Sequence, residues 1–238
     1  MPDRLSQLFT VVETHLGFDI HESGSVLYSG LHTLNPGRFY YLGLNPGGEP
    51  TDNPAESIKT HIEQSRTEHN AFLDEEWSPG SRIYEAGAAP QQLHVQTLAR
   101  LLGVPLRDMF ASELIFVRSR ATGGVDYANL AKKCWPVHQW MLNIVKPAIV
   151  VTNGNSEGKS AYSYVRNAFR EDGLFLNELT PAESGHRRYW LKATRVSGHP
   201  SVKLILGIPH LSYYHLSTER NRSIVESWLK TTVNELYL

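Results

Sequence analysis

Four short apolar runs, each ending in a loop rich in Gly, Pro, Ser or Asn, constrain this chain more than any other feature. They cover residues 38–44, 109–117, 148–152 and 203–208. Runs of that length, with little alternation, suit strands buried on both faces. Between them the apolar period changes to that of a helix. Residues 91–102 place Leu93, Val95, Leu98, Leu101 and Leu102 at helical spacing, and Gly103 follows as a stop. Residues 135–145 repeat the pattern before Lys146-Pro147, and 218–238 close the chain as an amphipathic helix. Strands that alternate with helices pair in parallel through right-handed crossovers. The expected fold is therefore a layered α/β/α domain around a central, mainly parallel four-stranded sheet. Residues 189–196 alternate but carry Lys192 and Arg195, which suits an added edge strand.

A chain of 238 residues without repeats or linkers reads as one domain, 1–238. Its long polar segment at about 49–90 holds Pro50, Pro54, Pro79 and Gly80, and only 57–67 has a helical pattern. A long insertion directly after a strand is either functional or disordered. Cys134 is the only cysteine, which excludes internal disulfides and an iron–sulfur cluster ligated by this chain alone. A reducing cytoplasm is the expected location. Asp3 and Glu13 break any signal-peptide pattern at the start, and no apolar run approaches the roughly 18 residues a bilayer needs. The eleven histidines show no metal-ligand spacing, so neither metal nor cofactor is expected. His21, His61, His69 and His138 read as surface or satisfied core residues. A net charge of −1 weighs mildly against a nucleic-acid partner, although a few Arg and Lys around one cleft would suffice.

Open α/β sheets bind ligands beyond the carboxyl ends of their strands. After the first run comes Gly43-Leu44-Asn45-Pro46-Gly47-Gly48. The second holds Glu113 and leads to Arg118-Ser119-Arg120. The third ends in Asn153-Gly154-Asn155, and the fourth leads to His210-Leu211-Ser212-Tyr213-Tyr214. Asn45 lies on a tight turn where backbone approaches a ligand closely, though Asn-Pro-Gly is also an ordinary turn.

Gly-Leu-Asn-Pro-Gly after the first strand, with His-x-Ser after the last, resembles the two active-site motifs of the uracil-DNA glycosylase superfamily. The Asn at residue 45 is similar to the thymine-DNA, mismatch-specific and single-strand-selective branches. The resemblance extends over 86–103, 112–118 and 134–154. It implies a DNA glycosylase that acts as a monomer on DNA carrying a damaged or modified base. Asn45 would hold the attacking water, and His210 would stabilise charge on the departing base. Ser212 would contact a phosphate, and Tyr213 and Tyr214 would fill the gap left by the flipped nucleotide. Phe72, Trp77 or Tyr84 would stack on the base, with Asn153 beside it. Gly47, Gly48, Arg118 and Arg120 would meet the DNA backbone, with Arg187, Arg188, Lys192 and Lys203 as further phosphate contacts. His199-Pro200-Ser201 matches the family string more literally but precedes the last strand, so it reads as a decoy.

One departure bears on substrate. Relatives commonly read the pyrimidine edge with an asparagine inside the second strand, where this chain has Glu113. A carboxyl group suits a base with an amino group, as cytosine presents through N4. The expected substrate is a cytosine-type base, such as a modified cytosine of bacteriophage DNA, in repair or in antiviral defence. A structural ion pair of Glu113 with Arg118 or Arg120 is the competing explanation. Without a lysine beside either motif, a Schiff-base lyase is not indicated. Two rivals stand beside this reading. One is a catalytically silent base-recognition module of the same fold. The other is a P-loop-like nucleotide binder, suggested by residues 153–160, whose spacing is one residue short of the motif.

Overall fold

In the computed structural model, residues 3–65, 68–78, 82–120, 125–186 and 188–234 are described. The strands in chain order are β1 (Phe39–Gly43), β2 (Phe110–Glu113), β3 (Ile149–Asn153), β4 (Phe175–Glu178), β5 (Ala182–Glu183), β6 (Trp190–Ser197) and β7 (Leu204–Ile208). The helices are α1 (Arg4–Leu16), α2 (Ile58–Gln64), α3 (Ala71–Asp74), α4 (Pro90–Leu102), α5 (Tyr127–Val145), α6 (Ala161–Glu171) and α7 (Glu219–Asn234).

The four apolar runs become four adjacent parallel strands in the order β2-β1-β3-β7. All four are buried along their whole length. Side chains alternate across the sheet. Tyr40 and Leu42 enter a core with Val12 of α1, Met141 of α5 and Val165 of α6. Phe39 and Tyr41 enter a second core with Leu98 of α4 and Leu229 of α7. Two apolar cores on two sheet faces give the α/β/α layering.

The sheet is larger than the sequence led us to expect. It is mixed and seven-stranded, with β6 antiparallel to β7, β4 antiparallel to β6, and β5 paired to β6. Thus β6 lies inside the strand order and not at the edge. Its alternation misled because Lys192 and Arg195 project from positions that are only half-covered. α5 starts eight residues before the expected position 135, at Tyr127. Pro136 removes a backbone donor inside it. Its apolar face, with Tyr127, Ala131 and Cys134, carries the helix across that break. α4 ends as anticipated, with Gly103 in the left-handed region at φ 69°. The last helix spans Glu219–Asn234, and the expected residues 235–238 lie outside the described set, as do 66 and 67 of the helix expected over 57–67.

The polar insertion is built into the fold. Asn70 caps α3 by accepting from the Phe72 N–H, and its amide donates to the Leu106 carbonyl. From α4, Gln92 donates to the carbonyls of Ala71 and Glu75, and Gln96 donates to those of Phe72 and Gly87. Two helical side chains therefore fix the segment that carries Phe72 towards the sheet. On the other side, residues 23–28 cover the outer edge of β2, bridging Leu27 to Ser112 and Gly24 to Val117.

Candidate functional site

The carboxyl ends of β1, β2, β3 and β7 gather the residues that the sequence singled out. Glu113 ends β2 opposite Gly43 of β1. Its carboxyl group lies directly over that glycine, where a Cβ would overlap both carboxyl oxygens. Gly43 is thus needed for close approach and not for a turn. Glu113 is 5% exposed, and Oε2 has no hydrogen-bond partner among the described residues. Burial raises its pKa to about 8, because nothing nearby compensates the charged form. The ion-pair explanation fails. Arg118 donates to Ser23 Oγ and to the Gly47 carbonyl, and Arg120 pairs with Glu49 at 2.5 Å.

Two phenols, those of Tyr28 and Tyr41, lie near enough to feel this carboxyl, and both rings belong to a cluster of four aromatic side chains. Phe72 packs against Tyr28 at 5.5 Å, Tyr41 at 5.6 Å and Trp77 at 5.8 Å between centroids. Phe72 and Tyr41 are fully buried, whereas Tyr28 and Trp77 reach solvent. The phenols of Tyr28 and Tyr41 titrate well above their ordinary range, first through burial and then through the Glu113 charge. Phe72 therefore backs the cluster from the core and offers no open face. Trp77 and Tyr28 are the rings a flat ligand meets first. Tyr84 sits farther out, bridged to Trp77, with Arg82 over its ring at 4.6 Å.

Asn45 follows β1 and is half-buried. Its Nδ2 donates to the Pro46 carbonyl at 2.9 Å and to Ser119 Oγ at 3.0 Å. Ser119 in turn shares a 2.6 Å hydrogen bond with the Tyr127 hydroxyl. A carbonyl can only accept, so the amide orientation is fixed, with Oδ1 as the acceptor end. Arg118 grips the same loop through Gly47, and Gly48 follows at φ 104°.

His210 lies after β7, two strand spacings or roughly 9.5 Å across the sheet from the β1 end. Its Nδ1 accepts from the Ser212 N–H at 3.2 Å. Burial lowers its pKa, so the ring is neutral and, with Nδ1 accepting, its proton lies on Nε2. Gly154, just after β3, has φ 100°, a left-handed conformation that favours glycine, and packs against the His210 ring. The loop is held from three directions. Asn153 Oδ1 accepts from the Leu211 N–H, His94 Nδ1 donates to the Leu211 carbonyl, and Ser212 Oγ donates to Gln91.

Several expected roles change. Asn153 is buried and anchors the His210 loop, so its amide oxygen is not a base reader. Tyr214 is 1% exposed, with its hydroxyl on the Ser184 carbonyl, and belongs to the core. Tyr213 is 69% exposed and tilts against His210 at 5.6 Å. Ser212 already spends its hydroxyl proton on Gln91. Lys203 lies at the amino end of β7, away from the site, and Arg187 is outside the described residues. Arg188 is exposed at the site's end of the sheet, while Lys192 pairs with Glu157 at 2.5 Å. His199 stays in the turn between β6 and β7, accepting from the Val202 N–H and stacking on Phe169. The loop at 153–160 closes on itself: Ser160 caps α6, and its hydroxyl donates to the Ser156 carbonyl. That leaves little of a phosphate cradle.

Sequence reasoning missed Tyr28, Ser119, Tyr127, Gln91 and His94. Only Tyr41 had a signal, as the strand position that shares a face with Gly43. Among the described residues no cluster of metal-ligating side chains occurs, and no helix is long and apolar enough to cross a membrane. Neither protein-family models nor curated proteins match this chain.

Proposed function

We propose that this protein is a monofunctional DNA glycosylase that takes a flipped cytosine-type base and hydrolyses its N-glycosidic bond. The observation that carries this reading is the fixed, opposite polarity of Asn45 and His210. Asn45 ends in an acceptor, because both of its hydrogen bonds within the described residues use Nδ2. His210 ends in a donor, because Ser212 occupies Nδ1. A hydrolase of this bond needs both: an acceptor to orient water towards C1′, and a donor towards the oxygen on which the departing base gathers charge.

In the proposed reaction the base enters beside Glu113, between the rings that reach solvent, and Tyr213 fills the space it leaves. The C1′–N1 bond breaks first, and water held at Asn45 Oδ1 then adds to C1′. The bond's electron pair leaves with the base, and the His210 Nε2–H steadies it. An amide is a weak base, which fits late attack on a sugar cation already formed. Asn45 and His210 favour catalysis over a silent base-recognition module, because binding alone needs no water-orienting acceptor. The product is a free base and an unbroken abasic strand. Gel analysis of end-labelled DNA tests this: we expect strand breaks only after hot alkali. Breaks without alkali would contradict hydrolysis by a monofunctional enzyme.

A further inference from the structure

Three buried side-chain polar atoms lack a hydrogen-bond partner among the described residues: Tyr41 Oη, Glu113 Oε2 and Arg166 Nε. Two of the three share one sheet face, Tyr41 within β1 and Glu113 at the end of β2. Buried polar groups are otherwise paired almost without exception, so two orphans together mark a place shaped for a polar ligand. Glu113 is held in position by the backbone alone. Its strand is locked into the sheet, Gly43 makes room for the carboxyl group, and among the described residues no cation pairs with it. The surrounding rings select a flat ligand.

We propose that Glu113 acts as a neutral carboxylic acid that delivers its proton to the ring nitrogen N3 of the departing base, and so confines efficient excision to amino-pyrimidines. The inference rests on the glycosylase reading above. A neutral carboxyl group offers one O–H donor beside one carbonyl acceptor. The cytosine edge offers the complement, with N3 as acceptor beside the N4–H donor. As C1′–N1 breaks, its electron pair flows into the ring. The Glu113 O–H bond breaks, N3–H forms, and the base leaves neutral instead of as an anion. Water adds to C1′, and the proton it sheds balances the one that Glu113 gave, which solvent later restores. Uracil already bears hydrogen at N3. It can pair with the same acid but cannot take the proton there, so discrimination lies in the rate and not in binding. The high pKa produced by burial keeps Glu113 loaded at neutral pH. Tyr41 Oη, the second orphan, is left to meet a polar group on the ring or its substituent.

The test is single-turnover base release from oligonucleotides carrying a cytosine-type base or uracil, measured against pH for the wild type and Glu113→Gln. Glutamine keeps a donor and an acceptor but has no proton to give. We expect Glu113→Gln to slow release of the cytosine-type base by about 10²-fold or more, with DNA affinity unchanged. The wild-type rate should fall roughly tenfold per pH unit above about 8, and this limb should vanish in the variant. Release that is indifferent to Glu113→Gln would overturn proton donation while leaving the glycosylase intact. No release from any substrate would overturn the glycosylase reading and this inference with it. A readout independent of activity is carbon NMR of labelled glutamate in the free protein. A Glu113 midpoint near 8 supports the proposal, and one in the ordinary carboxylate range overturns it.

Discussion

Glu113 has an ordinary carboxylate value of 4.5 in the open chain and about 8 in the fold. Below 4.5 both states keep the proton, and the group adds no pH dependence. Between the two values only the unfolded chain releases it. The stability contributed by the neutral acid is therefore complete at low pH and drains away as pH rises, until the folded group ionises as well. At pH 7 the loss is on the order of 3 kcal/mol. Glu113→Gln, which never ionises, should unfold at a higher temperature than the wild type, and the gap should widen from about pH 5 to about pH 8. Calorimetry showing a constant gap would contradict an uncompensated buried acid. The two tyrosines after Ser212 make a second contrast at this scale. Tyr214→Ala removes a buried ring and its hydrogen bond to Ser184, and should cost about 3–5 kcal/mol in urea unfolding. Tyr213→Ala should change stability by no more than about 0.5 kcal/mol, yet slow base release from duplex more than from single strands. Sequence could not separate the pair, because adjacent tyrosines carry no sign of which one turns inward.

At the scale of elements, the insertion and the helix behind it form one unit. Gln92 is fully buried and donates to one carbonyl at each end of α3. Gln92→Leu would leave the Ala71 carbonyl without this donor and the Glu75 carbonyl with only the Gly87 N–H, costing about 1–3 kcal/mol where the Ala71 group stays buried. We expect near-ultraviolet circular dichroism to report a disturbed environment for Trp77, with base release lost before global unfolding. Unchanged spectra and activity would mean that α3 holds its place without α4. On the opposite sheet face, His138 accepts from the Tyr40 hydroxyl at 2.8 Å and donates to the Leu114 carbonyl at 3.0 Å. Burial lowers its pKa to about 4, and that of His61 likewise. Both rings are neutral in the fold, so stability is complete above the unfolded value of 6.5 and falls as pH drops towards 4. Unfolding temperature should decline over that window, less steeply in His61→Gln. The four parallel strands were legible because burial on both faces leaves an unbroken apolar run. β4 and β5 were not: one is a mostly exposed strand, Phe-Leu-Asn-Glu, and the other is two residues long. Neither carries enough apolar pattern to stand out from a loop.

For the molecule as a whole, the net charge of −1 limits how DNA can be held. Arg120 and Lys192 are paired with carboxylates, and Arg118 is engaged with its own loop. With these three described cations of the site already engaged, the proposed DNA affinity should depend only modestly on salt. We expect log Kd against log salt to have a slope of about 3, as for three or four phosphate contacts, in anisotropy titrations. A slope beyond about 6 would reveal a basic surface that these residues do not form. The strand-end residues Asn45, Glu113 and His210 were legible because an open parallel sheet sends its loops to one end. Tyr28 and Tyr127 were not, since each reaches the site from a segment without a strand-end signal, while Ser119 and Gln91 lay in marked segments but nothing set them apart from their neighbours. The measurement that bears most directly on the central claim is mass spectrometry of free bases after incubation with DNA. The DNA would carry uracil, a thymine mismatch, cytosine, or hydroxymethylated or glucosylated cytosine. We predict release of a cytosine-type base, slowed by about 10²-fold or more in Asn45→Ala. No released base from any of these substrates, by folded protein that still binds the DNA, would contradict it.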